Sequence, residues 1–266
     1  MAWRLVRTAK AVRVPDASAP GAVPWSRYVI TGVRGPGRID VPAGETTIVV
    51  SDASLQSADL SGCLFRNYIA TGSTLEDCDF TDATFEGGVL GDLPLTTYRR
   101  CIFRRTDLRR CAPQLARFEG CLFEEARLDG WAARTAEFVD CRFIGRLLRV
   151  QFWGEPTGAG RPRAVLTRSS NEFRGNDFVE AVLDDCSFKG GIDLDANLWP
   201  TSDRYVVLHD RARLIDGAMR RLDELSGDQQ ERARNTLRLL SSGGYERQRD
   251  VIVERALLGP ADALLL

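Results

Sequence analysis

The sequence predicts a mainly β protein: a parallel β-solenoid with an irregular β cap before it and a helical region after it. Three observations carry that expectation. Leu or Phe recurs every five residues, a small side chain stands two places before most of them, and the apolar spacing changes to three and four after Pro200. A period of five matches neither the helix nor the simple strand, so each unit must be a short extended piece followed by a corner. One large and one small side chain then point inward per unit, and successive coils stack about 4.8 Å apart.

In chain order, residues 1–50 hold the short β-like runs Tyr28-Val29-Ile30 and Thr47-Ile48-Val49-Val50 among Gly and Pro, and read as a cap over the first open edge. Residues 51–200 are the repeat. Its centres are Leu55, Leu60, Phe65, Ala70, Leu75, Phe80, Phe85 and Leu90, then a series shifted by three from Phe103 to Leu148, resuming from Phe173 to Leu198. Twenty of these 24 centres are Leu or Phe, and 11 of the 12 phenylalanines lie on them, with Phe152 the exception. All seven cysteines occupy the small slot, which predicts buried, reduced thiols with Cys101, Cys121 and Cys141 in one column. Ala70 and Ala133 are expected to underfill the core, Pro113 is an unusual centre, and Asp193 suggests that the last coil loses register.

Two breaks interrupt the period, at 93–100 and 149–170. The second has a Gly- and Pro-rich loop composition and carries Phe152, Trp153, Arg161 and Arg163. These four are candidate contact residues, with folding back onto the coil as the alternative. Beyond Pro200, Leu214, Ile215, Ala218, Met219, Leu222 and Leu225 follow a helical spacing. Asp228 with Glu231 reads as a capping box for a second helix ending near Gly243 and Gly244, and Tyr245 to Leu258 as a third. Region 201–266 is expected to cap the final coil, or to join two chains as a homodimer.

The units Ala58-Asp59-Leu60-Ser61-Gly62 and Cys78-Asp79-Phe80-Thr81-Asp82 resemble the pentapeptide-repeat family. The resemblance implies a four-sided right-handed β-helix with about 20 residues per coil, hence about six coils over residues 51–200. Residue n then lies beside n+20, which turns the charges into a map. Arg99 falls beside Glu119, Arg104 beside Glu124, Arg105 beside Glu125, Arg109 beside Asp129, Asp107 beside Arg127 and Arg117 beside Glu137. The arginine-rich middle is thus expected to be a salt-bridge ladder rather than a nucleic-acid site. In the first coils only Glu86 finds a partner by this rule, Arg66, while Asp59 stacks on Asp79. Asp59, Asp77, Asp79 and Asp82 are therefore candidate partner-binding residues.

Composition narrows the function. The chain has 266 residues, 44% apolar and 27% charged, enough to bury a core. Its charges nearly balance, 36 basic against 37 acidic, so net charge names no partner. A single histidine, His209, argues against multi-histidine metal sites and most triad chemistry. The neighbouring carboxylates Asp184 and Asp185 have no visible pocket, and no histidine in the repeats activates a cysteine. The expectation is a non-enzyme without cofactor or metal. No apolar run approaches a membrane span, and the basic start leads into Val14-Pro15-Asp16, so a cytoplasmic location is expected. The first reading is a protein-interaction scaffold. The alternative comes from the quinolone-resistance and antibiotic-immunity branch of the family, whose DNA-mimicking members bind DNA gyrase. A cationic middle fits that branch poorly.

Overall fold

The computed structural model describes residues 47–157 and 168–266, together with the strands Arg27–Thr31 and Gly37–Arg38. Parallel sheets form a β-solenoid. From Tyr68 to Gly88 the chain visits four sheets in turn: Tyr68–Thr71, Thr74–Glu76, a bridge at Asp79, and Thr84–Phe85. It then returns beside its starting strand, Gly88 opposite Tyr68. The longest sheet stacks Ser54–Gln56, Thr74–Glu76, Thr96–Arg99, Ala116–Glu119, Glu137–Val139 and Phe173–Arg174. The register begins ahead of the repeat proper, since Arg27–Thr31 lies parallel to Thr47–Ser51 with Arg27 opposite Thr47.

The coil length is not constant, and each change is absorbed at one place. Ile48 faces Tyr68 and Thr96 faces Ala116, a step of 20. Leu75 faces Tyr98, a step of 23, so Thr96–Arg99 is in register and the three extra residues lie between Leu90 and Thr96. Tyr98 is thus a centre hidden by its residue type. At Gly145 the inward position slips by one, placing Leu147 rather than Leu148 opposite Leu183. That slip carries the lattice onto Phe152, which faces Ala133 on one side and Phe188 on the other. The phenylalanine that misses the sequence series is therefore a core centre and not an exposed loop residue. As Asp193 suggested, the last coil loses register: Ile192, Leu194 and Trp199 turn inward while Asp193 and Leu198 are exposed.

Stacking at a fixed register puts like rings over like rings. Phe80, Phe103, Phe123, Phe143, Phe178 and Trp199 form one column, with centroids 4.5–5.1 Å apart and planes within 6°. Tyr98, Phe118 and Phe138 form a second column at 5.1–5.2 Å. The two alanine centres do not leave the core short. Tyr68 and Trp131 occupy the neighbouring small slots, both buried, so large and small exchange places at these corners. The Tyr68 and Tyr98 hydroxyls meet at 3.3 Å, and Tyr98 also donates to the Leu90 carbonyl.

The small slot has a second property besides size. Cys101 Sγ donates to Leu75 O, Cys121 Sγ to Tyr98 O, and Cys141 Sγ to Phe118 O, each at 3.3–3.4 Å across one coil. Thr106 Oγ1 does the same to Phe80 O and Ser73 Oγ to Val50 O. Where the long insertion follows, Asn176 continues the column, accepting from Cys141 N and donating to Phe138 O. Where the slot holds Cys, Ser, Thr or Asn rather than Ala, its side chain thus also donates to a buried carbonyl. Five of the seven cysteines are buried, Cys63 and Cys186 are half-buried, and none of the seven forms a disulfide among the described residues. Burial pushes the Cys186 thiol up to about 12 and raises Cys111 and Cys121 as well.

After the last coil the chain forms α1 (Arg211–Arg220), a short 3-10 turn, α2 (Gly227–Ser241), α3 (Arg255–Leu258) and α4 (Asp262–Leu265). The expected third helix over 245–258 is mostly not helical. Val251–Glu254 is a strand, antiparallel to Tyr205–Leu208, because its β-branched run pairs better than it coils. The expected capping box also differs: α2 has Ser226 at its N-cap position without a side-chain cap, and Asp228 lies in the first turn. The final coil is closed by Gln248, whose buried amide accepts from Gly191 N and Ile192 N at 3.0 Å and donates to Ile192 O and Asp250 O. One side chain thus takes the place of the next strand. Among the described residues no helix is long and apolar enough to cross a membrane.

Candidate interaction surface

Two of the four candidate carboxylates of the first coils, Asp77 and Asp82, are neutralised by a change of offset. Because the coil containing Arg100 and Arg105 carries three extra residues, these arginines lie 23 positions from Asp77 and Asp82. Arg100 Nε binds Asp77 at 2.8 Å and Arg105 binds Asp82 at 2.7 Å. The Arg100 and Arg105 guanidiniums hold the Asp77 and Asp82 carboxyls below the usual carboxylate range. The expected Arg105–Glu125 contact is replaced by this one, since Arg105 turns toward the preceding coil. Asp79 and Asp59 bridge each other's coils as expected, and each also holds a corner: Asp79 accepts from Thr81 N at 2.8 Å and Asp59 from Ser61 N at 3.0 Å.

The other expected pairs form. Arg99–Glu119, Arg104–Glu124, Arg109–Asp129, Arg127–Asp107 and Arg66–Glu86 all lie within 4 Å. Arg117 is the densest node, touching Glu119, Glu137 at 2.9 Å and Glu172 at 2.7 Å. Glu137 is buried, and Arg168 approaches it from the other side at 3.4 Å. The cationic middle is thus tied into a network running along the coil axis.

At the second break the candidate contact residues part company. Phe152 is fully buried among Phe138, Phe143, Phe178 and Phe188. Trp153 is half-buried, with Arg134 and Lys189 over its ring. Gly244 lies against it with φ 98°, and a Cβ there would stand 2.4 Å from the indole. Trp153 therefore seats the C-terminal region. Arg161 and Arg163 lie outside the described residues.

A further feature joins the two halves of the molecule. Between the last coils and α2 lies a cavity of about 320 Å³, lined on one side by Arg149, Gln151 and Lys189 and on the other by Leu240, Tyr245 and Leu258. Burial pushes the Tyr245 hydroxyl up to about 12, and burial with the nearby Arg134 lowers Lys189. The sequence signal for this site is faint: Lys189 is one of two lysines in a chain otherwise using arginine.

Residues 51–87 match the family model described as Pentapeptide repeats, in 8 copies. This stretch of the solenoid is built of pentapeptide repeats. The same inward lattice continues past the matched stretch to Trp199. No curated protein matches it. Solved structures of QnrB1, described as a plasmid-mediated fluoroquinolone resistance protein, are similar at low identity. A trypsin-treated form is 16% identical with a TM-score of 0.26, covering 61% of this chain and 85% of that one. The full-length form is 15% identical with a TM-score of 0.20, covering 57% and 81%.

Proposed function

We propose that this protein is a non-catalytic scaffold that docks another protein on the faces of its solenoid, in the cytoplasm. The supporting observation is the way the charged side chains are held. Outward arginines and carboxylates are pinned to neighbours one coil away, as in Arg104–Glu124 and Arg105–Asp82, so a partner meets a preorganised pattern of charge. Free thiols suit a reducing compartment. The DNA-mimic reading needs unopposed carboxylates, and the pairing of Asp77 and Asp82 weighs against it. The exposed Leu239, Leu257 and Leu266 of the C-terminal region leave a homodimer contact as a separate property to be read by sedimentation.

The experiment is photo-crosslinking in the native host with a benzophenone side chain placed at Thr74 and Thr97 on one sheet, or at Ala112 and Ala132 elsewhere. The scaffold reading expects one protein to be captured from adjacent positions of a single face. Adducts scattered equally over all positions, or none, count against it. A supercoiling assay with the host's gyrase tests the alternative, for which inhibition lost on Asp77→Asn with Asp82→Asn is required.

A further inference from the structure

We propose that the cleft between the last coils and α2 binds a small amphipathic anion, an apolar carboxylate of medium chain length. This goes beyond protein docking, because the cleft is concave and sits where two separately built cores meet. Its floor is apolar, formed by Leu240, Ile252 and Leu258, all buried. At its mouth Leu239 and Leu257 are 71% and 56% exposed, among the most exposed large apolar side chains described. Interiors otherwise pack closely, and a space of this size with one apolar wall and one polar wall has the character of a site for an amphipathic ligand.

The charges at the rim set the sign of the ligand. Arg149 and Lys189 line the cleft, and among the described residues neither has a carboxylate within 4 Å, unlike most arginines of the ladder. Lys189 is instead held between rings, its Nζ 5.6 Å from the Trp153 centroid and 4.9 Å from Tyr245. Of the two acids at the rim, Glu254 is taken by Arg204 at 3.1 Å. Among the acids that line the cleft this leaves Asp185 against two cations, with Glu246 outside the lining also acting on Lys189. Beside them the Ser187 hydroxyl bonds to that of Tyr245, which leaves the Tyr245 hydroxyl as a donor. A carboxylate head at Arg149 and Lys189 places its chain along Leu240, Ile252 and Leu258. Desolvation that disfavours the charged ammonium is relieved when an anion arrives.

Calorimetric titration of the full chain with octanoate, 1-octanol and octylamine reads this directly. Octanoate is expected to bind, and octylamine to bind at least tenfold more weakly. Lys189→Met with Arg149→Gln is expected to weaken octanoate at least tenfold and to leave octanol within about twofold. Thr236→Trp, which keeps both cations and fills the cleft, is expected to abolish both. Unchanged melting temperature certifies each variant as folded. The proposal is overturned if octanoate fails to bind at millimolar concentration, if octylamine binds equally well, or if Thr236→Trp leaves octanoate binding intact. Because these titrations involve no protein partner, they stand or fall apart from the crosslinking result.

Discussion

The second position after a centre turns the corner in a left-handed conformation, with φ 53° at Asp77, 59° at Asp82, 49° at Arg100 and 50° at Arg105. For residues other than Gly, Asn and Asp this conformation costs about 1–2 kcal/mol. Arginine at two such corners is explained by what its side chain reaches: Asp77 and Asp82 on the coil before. A double-mutant cycle with Arg105→Gln and Asp82→Asn should show coupling at low salt that fades as salt is raised, whereas the cycle with Glu125→Gln should show none. The thiol column makes a second expectation. Cys121→Ser keeps a donor for the Tyr98 carbonyl, while Cys121→Val is close in size and has none. Valine should cost about 1–3 kcal/mol more than serine in urea unfolding, the usual cost of a buried polar atom left unpaired.

At the scale of the element, the lattice and the caps differ in how much the chain discloses. The period of five, the column of Cys101, Cys121 and Cys141 and most of the ladder were legible because each depends only on spacing. Tyr98, Tyr68 and Trp131 were not, since the lattice asks for inward volume and the reading asked for Leu or Phe. Phe152 was hidden by Leu147 and Leu148, either of which satisfies the pattern while only one faces inward. The offset of 23 that pairs Asp77 with Arg100 and Asp82 with Arg105 lay outside the n+20 rule, because that rule takes no account of the three residues inserted between the two coils. The cleft was invisible, since it needs the position of α2 relative to Lys189. The exchange at Ala70 predicts that Ala70→Leu overpacks against Tyr68, costing about 1–3 kcal/mol by denaturant melting. Gln248→Leu should strand Gly191 N and Ile192 N, so hydrogen exchange at those two amides should speed up well before global unfolding.

For the whole molecule, the ladder sets the acid limit of stability. Hydrogen bonds from arginine hold several of its carboxyls down: Arg109 lowers Asp107, Arg117 lowers Glu172 and Arg146 lowers Asp184. A carboxyl depressed in the folded state contributes stability that is complete above its unfolded value, about 4, and that disappears as pH falls through the lower folded value. The urea midpoint should therefore hold from pH 7 to about 5 and drop steeply below about 4; a midpoint that rises on acidification contradicts the ladder. Deletion of residues 203–266 should bring aggregation, because it removes Gln248 from the edge at Gly191 and Ile192. The variable coil length has a wider consequence. An inserted or missing residue in this chain behaves like a dislocation in a crystal: it bends the path at one corner, and the planes above and below it realign. Phe80 still lies over Phe103 across the three extra residues, and Phe143 over Phe178 across the long insertion, with ring planes 6° and 2° apart. Length can therefore change at a corner while the stack on either side keeps its order, so that new surface can be grafted onto an old rod one coil at a time.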